Sequence, residues 1–215
     1  MTPRFLRRPL LALLCGLVLP LAAVAADPPR APDAPPPRPP ANGATLPLPA
    51  GATVAVVIFE DLQCPDCAHT HPLLLAATRE ARVPLVIHDF PIPRHAWAFP
   101  AAVVARYYTN RSPELGLAYR TYIFEHQPDI TPENLRSWIE RFAAEHGETL
   151  PADVDPDGRL AAAVQADFDL GVSIGLAYVP LMFVIGPGTG AAHYVEIMDP
   201  ADLPAAIEKV RAAGR

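Results

Sequence analysis

The sequence has few cysteines and few basic side chains for its length. Only three of its 215 residues are cysteines, and its 17 Lys and Arg side chains are outnumbered by 23 Asp and Glu. The resulting net charge of −6 repels phosphate groups, which argues against nucleic acid and anionic membrane surfaces as partners. Since 51% of the residues are hydrophobic, the chain can bury a core, and collagen, coiled coil and wholesale disorder are excluded.

The first 26 residues have the pattern of a secretory signal peptide. Three arginines within residues 1–8 precede residues 10–26, which are apolar, carry no charge and end in small side chains. The alternative is an uncleaved membrane anchor, because the apolar run is at the lower length limit for crossing a bilayer. We predict that the segment is cleaved and that the protein is periplasmic or otherwise exported.

Residues 27–51 contain ten prolines. Proline removes a backbone hydrogen-bond donor and fixes φ, so this segment cannot form a packed core. We interpret it as a proline-rich linker, either a semi-rigid spacer or a disordered leader. The rest of the chain, residues 52–214, is predicted to form one domain.

The two cysteines beyond the signal peptide form a single CPDC motif, Cys64 to Cys67. Secreted proteins held by disulfides scatter cysteines to close long loops, so this pair does not hold the fold together. An isolated CxxC is half of a metal site or a redox dithiol. The chain has no second CxxC and no HxxxH for a four-ligand zinc site, but His69 and His71 are close enough in sequence to complete a copper or zinc site.

The flanking segments place this motif at a turn between a strand and a helix. Residues 52–60 are a nearly unbroken, β-branched apolar run, which is typical of a strand buried on both faces. Apolar residues recur at helical spacing after the motif. Cys64 is therefore expected at a helix N-terminus, where free backbone N–H groups and the helix dipole stabilise a thiolate. Cys67, one turn further on, could attack a mixed disulfide at Cys64.

The remaining patterns predict a second strand over residues 83–90, parallel to the first, and then a helical block. The block is followed by an antiparallel hairpin and a final helix. Its helices are predicted over 96–110, 113–126, 131–146 and 157–171, and the hairpin strands over 178–186 and 191–198. Thr131 is expected to cap the third helix. Six aromatic residues at helical spacing are expected in the core of the block: Trp97, Phe99, Tyr107, Tyr108, Trp138 and Phe142.

This order of elements resembles the DsbA-like branch of the thioredoxin superfamily. The resemblance is carried by FEDLQCPDC (59–67), by the Phe-Pro, His95 and Ala-Ala of residues 88–102, and by the Tyr-Val-Pro of residues 178–180 ahead of an apolar strand. It implies an α/β, thioredoxin-like fold with an inserted all-helical subdomain, at about residues 96–172.

The same resemblance implies a protein disulfide oxidoreductase in which Cys64 is the nucleophile and Cys67 resolves the mixed disulfide. It also implies a cis peptide between Val179 and Pro180, in a loop that packs against the sulfurs and binds extended or unfolded protein substrates through the main chain. The redox-active Cys64–Cys67 disulfide carries the electrons, so neither an organic cofactor nor a metal is expected. A membrane redox partner is expected to reset the pair.

The dipeptide Pro65–Asp66 is expected to tune this redox pair. Strongly oxidising members of the family have a histidine in place of Asp66. A carboxylate there would repel the thiolate, raise the pKa of Cys64 and favour the disulfide, as in a weaker oxidant or a reductant. The direction of electron flow therefore stays open.

The residue that accepts the proton of Cys67 is not identified by the sequence. Thioredoxin relatives often have a buried acid six residues before the first cysteine, but that position is Ile58 here. We assign no catalytic role to Glu60 or Asp61, which strand alternation would place on opposite faces.

Overall fold

The computed structural model of the protein describes residues 46–187 and 194–214. The predicted signal peptide (1–26) and most of the predicted linker (27–51) lie outside the described residues. Within the described ranges, no helix is both long enough and apolar enough to cross a membrane.

A four-stranded sheet forms the centre of the fold. Its strands are β1 (Ala55–Glu60), β2 (Leu85–Asp89), β3 (Leu181–Ile185) and β4 (Tyr194–Ile197), in the order β2-β1-β3-β4. β1 and β2 are parallel, whereas β3 is antiparallel to both β1 and β4. Every residue of β1 and β3 is buried, which confirms that an unbroken apolar run marks a strand covered on both faces.

The described residues also form six α-helices: α1 (Pro65–Ala81), α2 (Ala98–Arg111), α3 (Pro113–His126), α4 (Leu135–Glu145), α5 (Arg159–Ser173) and α6 (Leu203–Ala213). Two short 3-10 turns follow α3 and precede α6. The four helices between β2 and β3 form the predicted insertion, so the α/β fold with an inserted helical subdomain is confirmed.

Alternate residues of β1 contribute to two separate cores. Val56 and Ile58 pack with Leu74 of α1 and with Leu203 and Ile207 of α6. On the opposite face, Val57 and Phe59 belong to a larger core shared with the inserted helices. This division follows from the period of two along a strand, which sends successive side chains to opposite faces.

Two details of the insertion differ from the sequence prediction. The third inserted helix begins at Leu135, and Thr131 does not cap it. The side chain of Asn134 instead accepts the Thr131 N–H and donates to the carbonyl of Asp129, which holds the preceding residues in a turn. Phe99 is exposed, whereas Tyr108 and Phe142 are completely buried and pack edge to face.

Five charged side chains form an ion cluster between the sheet and the insertion: Glu60, Asp89, Arg106, Arg120 and Asp167. Three of them, Glu60, Asp89 and Arg120, are buried, and the other two are partly exposed. Arg120 of α3 bridges the carboxylates that end β1 and β2, at 3.1 Å from Glu60 Oε1 and 2.6 Å from Asp89 Oδ1. Arg106 of α2 then bonds both Asp89 and Asp167 of α5. Each carboxylate is thus paired with a guanidinium group, which is what makes burial of these charges tolerable.

Replacing Arg120 by methionine should destabilise the fold strongly, because Glu60 and Asp89 would lose their shared cation while remaining buried. We expect the free energy of unfolding, measured by equilibrium urea denaturation, to fall by about 3–5 kcal/mol. The control is Arg136→Met, which removes an exposed pair with Glu140 and should cost less than about 1 kcal/mol. Equal losses in the two variants would contradict this account of the cluster.

Candidate active site

The cysteine pair lies where the chain passes from β1 into α1, as predicted. Cys64 is the N-cap residue of α1 and has extended backbone angles, and Cys67 lies in the first turn. Pro65 occupies the first helical position, where its missing N–H would have no helical partner, and its fixed φ suits the helix. Both cysteines are unbridged, and their exposed fractions are 6% for Cys64 and 0% for Cys67.

The surroundings of the two sulfurs drive their pKa values in opposite directions. The pKa of Cys64 is lowered from 9.0 to about 6, chiefly by a hydrogen bond that the Cys67 thiol donates to the Cys64 sulfur. The backbone N–H groups of Cys67 and Asp66 lower this pKa further, whereas burial of Cys64 acts to raise it. Burial raises the pKa of Cys67 well above its ordinary value, and the hydrogen bond it gives to Cys64 adds to the rise. At neutral pH the pair therefore consists of a Cys64 thiolate and a Cys67 thiol.

Asp66 does not act on Cys64 in the way its charge suggested. Its side chain is exposed, and its contribution is a backbone N–H that lowers the pKa of Cys64. The buried carboxylate of Asp61 is among the causes that raise this pKa. Water screens the charge of an exposed carboxylate, so the repulsion expected from Asp66 is weakened, and the pKa of Cys64 lies below its ordinary value rather than above it. Tuning of the reduction potential by Pro65 and Asp66 stays a prediction.

Asp61 fixes the turn that carries the cysteines. Its carboxylate accepts the N–H of Gln63 at 2.6 Å, the N–H of Ile92 at 2.6 Å, and a hydrogen bond from Nδ1 of His95 at 2.8 Å. Its own N–H points to the sulfur of Cys67 at 3.4 Å. Sequence reasoning found neither Asp61 nor the role of His95, although an Asp that binds the N–H two residues on is a common turn signal.

Two glutamines attach the same turn to the inserted subdomain. Gln63 Oε1 accepts the N–H of Trp97 at 2.8 Å, just before α2. Gln127, in the 3-10 turn after α3, donates from Nε2 to the carbonyl oxygens of Leu62 at 2.9 Å and Cys64 at 3.1 Å. The insertion therefore positions the cysteine backbone as well as covering the sheet.

The loop before β3 lies against the first cysteine. The Val179–Pro180 peptide is cis, as the resemblance implies. The carbonyl oxygen of Val179 is 3.7 Å from the sulfur of Cys64, to which the protonated thiol can donate. The loop thus sits beside the nucleophile, and its role in substrate binding stays a prediction.

The two histidines of α1 do not complete a metal site with the cysteines. His69 is exposed, whereas His71 is buried and its Nε2 is 2.9 Å from Thr121 Oγ1. In residues 46–187 and 194–214, no three Cys, His, Asp or Glu side chains lie close enough together to hold a metal ion. The described residues thus do not bring a histidine to the cysteine pair, and the alternative of a copper or zinc site built from Cys64, Cys67 and a nearby histidine stays a hypothesis.

Comparison with known proteins gives a consistent picture. Residues 50–208 match the family model described as thioredoxin. The fold is similar to the crystal structure of alpha-DsbA1 from Wolbachia pipientis, with a TM-score of 0.63 and 17% identity over 79% of this chain and 94% of that one. No curated protein sequence matches the chain.

Two further solved structures show the same likeness. The thiol-disulfide exchange protein alpha-DsbA2 from Wolbachia pipientis matches with a TM-score of 0.62 and 16% identity, over 75% of this chain and 83% of that one. A periplasmic thioredoxin-like protein from Salmonella enterica serovar Typhimurium matches with a TM-score of 0.59 and 18% identity, over 74% and 85%.

Replacing Cys67 by alanine should raise the pKa of Cys64 from about 6 toward 9.0, because the thiol that donates to the Cys64 thiolate is lost. The measurement is the pH dependence of Cys64 alkylation by iodoacetamide in the reduced protein. As a control, Asp66→Asn should leave this pKa nearly unchanged because its exposed charge is screened. An unchanged pKa in Cys67→Ala, or a shift of a full unit in Asp66→Asn, would contradict this description of the site.

Proposed function

Because the chain belongs to the thioredoxin family and has the DsbA-like fold, we propose that it is an exported thiol–disulfide oxidoreductase that acts on protein substrates. The observation that carries the proposal is the placement of the two cysteines, with Cys64 at the N-terminus of α1 beside the Val179–Pro180 loop and Cys67 fully buried one turn further on. A thiolate is the nucleophile of disulfide exchange, and the lowered pKa of Cys64 provides one at neutral pH. Cys67 is held behind it as a thiol in position to resolve the intermediate.

In the reductive direction, the Cys64 thiolate attacks one sulfur of a substrate disulfide. A mixed disulfide forms, and one substrate thiolate leaves. Cys67 then loses its proton and attacks the Cys64 sulfur, so that the Cys64–Cys67 disulfide forms and the second substrate thiolate leaves. Two electrons pass from the protein sulfurs to the substrate, and no organic cofactor takes part.

In the oxidative direction, the same steps run in reverse. A substrate thiolate attacks the Cys64–Cys67 disulfide at Cys64, and Cys67 leaves as the thiolate and takes up a proton. A second substrate thiolate then displaces Cys64, which leaves as a thiolate, and the protein keeps the two electrons. A further partner must remove these electrons before the next cycle, and we assign this step to a membrane redox protein.

The substrates we propose are extended or unfolded protein segments. The Val179–Pro180 loop lies beside Cys64 and precedes a strand, so a substrate strand could bind there through main-chain hydrogen bonds. Such binding accepts many sequences because side chains contribute little to it. The signal-like residues 1–26, together with the similarity to a periplasmic thioredoxin-like protein, support action outside the cytoplasm.

The lowered pKa of Cys64 favours the oxidative direction. A stabilised thiolate stabilises the reduced protein, which makes the disulfide a stronger oxidant. This argument runs against the expectation from Asp66, whose carboxylate is exposed and therefore screened by water. We propose that the protein oxidises its substrates.

The reduction potential of the Cys64–Cys67 pair, equilibrated against glutathione buffers, tests this function. We expect a reversible two-electron transition closer to about −120 mV, the value of the strongest oxidants, than to about −270 mV, that of thioredoxin. Oxidation of a reduced, unfolded ribonuclease should accompany it and be lost in Cys64→Ser. A potential near or below the thioredoxin value would reverse the proposed direction, and the lack of any two-electron transition would refute the function.

A further inference from the structure

Two buried polar atoms close to the cysteine pair face each other without a hydrogen bond. Oε2 of Glu60 and Nδ1 of His71 are 3.7 Å apart, and the exposed fractions of the two side chains are 0% and 2%. Neither atom has a hydrogen-bond partner among the described residues. Buried polar atoms are nearly always bonded, so each exception requires a reason.

The hydrogen bond at Nε2, on the other side of the His71 ring, bears on which ring nitrogen carries the hydrogen. The hydroxyl of Thr121 lies within hydrogen-bond distance of the carbonyl of Leu117, at 3.1 Å, and of Nε2 of His71, at 2.9 Å. A hydroxyl has one proton, so when Thr121 donates to Leu117 its oxygen accepts from Nε2, and the ring hydrogen lies on Nε2. In that tautomer Nδ1 is an acceptor, and it faces a carboxylate oxygen that is also an acceptor. A single added proton would satisfy both atoms.

The neighbouring groups leave the two facing atoms to each other. Oε1 of Glu60 is held by Arg120, and the ring of Phe124 packs against His71. His88 bonds to Asp167 at the far end of the ion cluster, where burial lowers the pKa of His88 to about 4. A proton that arrives between Glu60 and His71 is therefore shared by these two side chains.

This gap lies within one helical turn of the resolving cysteine. His71 follows Cys67 by four residues in α1, a spacing that brings Cβ atoms to about 5–6 Å of each other on the same face of a helix. Cys67 is completely buried, and the negative charge of Glu60 is among the causes that raise its pKa. Cys67 therefore keeps its proton until it reacts, and then releases it in an enclosed site.

We propose that the Glu60–His71 pair is the proton acceptor of Cys67, an inference that rests on the proposed exchange function. When Cys67 attacks the sulfur of Cys64 in the mixed disulfide, its proton moves to Nδ1 of His71, and the imidazolium is paired with Glu60. The Cys64–Cys67 disulfide forms as the bond to the substrate sulfur breaks, and the substrate leaves as a thiolate. In the oxidative direction the pair returns this proton to Cys67 as its sulfur leaves.

Resolution of a glutathione mixed disulfide tests the proposal. Reduced protein is mixed with excess oxidised glutathione, quenched in acid at set times, and analysed by mass spectrometry, which separates the mixed disulfide from the Cys64–Cys67 disulfide. Between pH 7 and 9, above the Cys64 pKa of about 6, the wild-type resolution rate should change little because an internal group takes the proton.

Glu60→Gln should slow this step without slowing the attack of Cys64 on glutathione. The new amide can donate to Nδ1 of His71, so this nitrogen no longer accepts a proton. Hydroxide from the solvent must then remove the proton of Cys67. We expect resolution to be about 100-fold slower at pH 7 and to accelerate about tenfold per pH unit. His71→Gln should show the same pH dependence, since its amide cannot take a second proton.

Asp89→Asn is the matched control, because it removes one carboxylate of the same ion cluster that does not face His71. It should resolve the mixed disulfide with the wild-type pH dependence. The proposal is overturned if Glu60→Gln keeps the wild-type rate, or if Asp89→Asn acquires the same dependence on pH. Failure of the wild-type protein to form a mixed disulfide at Cys64 would instead refute the proposed exchange function.

A measurement on the unaltered protein does not depend on how the variants fold. Long-range ¹⁵N–¹H spectra of the reduced protein should show the ring of His71 with its hydrogen on Nε2 and a bare Nδ1. A hydrogen on Nδ1 alone would overturn the proposal, because the acceptor would already be filled.

Discussion

The position of Arg120 between two carboxylates is the constraint on which the rest of the structure depends. Its guanidinium group joins the last residue of β1 to the last residue of β2 and belongs to a helix of the insertion. Removing a charge from water costs several kcal/mol, so the arrangement holds only where each ion is paired and bonded. The helical subdomain can therefore sit on the sheet in one register, the one in which α3 delivers this cation to both strand ends.

The geometry of the active site follows from that register. Because α3 is fixed at the ends of β1 and β2, the turn after it brings Gln127 to the carbonyl groups of Leu62 and Cys64. The start of α2 likewise reaches Gln63 through the N–H of Trp97. The cysteine turn is thus held from outside by the insertion and from within by Asp61. A nucleophile held in this way keeps its position while its partners change, as a protein that exchanges disulfides with many substrates requires.

Local patterns in the sequence were enough to predict the elements of the fold and the reactive pair. The unbroken run before Cys64 marks β1, and the motif at the strand–helix turn identifies the thiolate without any distant contact. Apart from two local turns, at Asp61–Gln63 and Thr131–Asn134, the interactions that the sequence did not predict are long-range. Arg120 is 60 residues from Glu60, and His95 is 34 residues from Asp61. Pairs of this kind leave no local periodicity.

The orientation of a single side chain is equally hidden from local patterns, and Asp66 shows the consequence. A carboxylate between two cysteines indicates repulsion of the thiolate, yet Asp66 points to water while its backbone N–H stabilises the sulfur. The buried Asp61, three residues before the motif, is among the causes that raise the pKa of Cys64. Distance through space and solvent screening, which a sequence does not record, decide how strongly each of the two charges acts.

The two cysteines need unequal surroundings, and one short segment provides them. Cys64 receives N–H groups at the N-terminal end of α1, so its charged form is stabilised beside the Val179–Pro180 loop. Three residues further on, Cys67 has turned into the interior, where burial and the nearby negative charge of Glu60 favour the thiol. A proton that is held so firmly must still leave when the disulfide closes. An acceptor inside the protein is therefore a requirement of the same burial that separates the two pKa values.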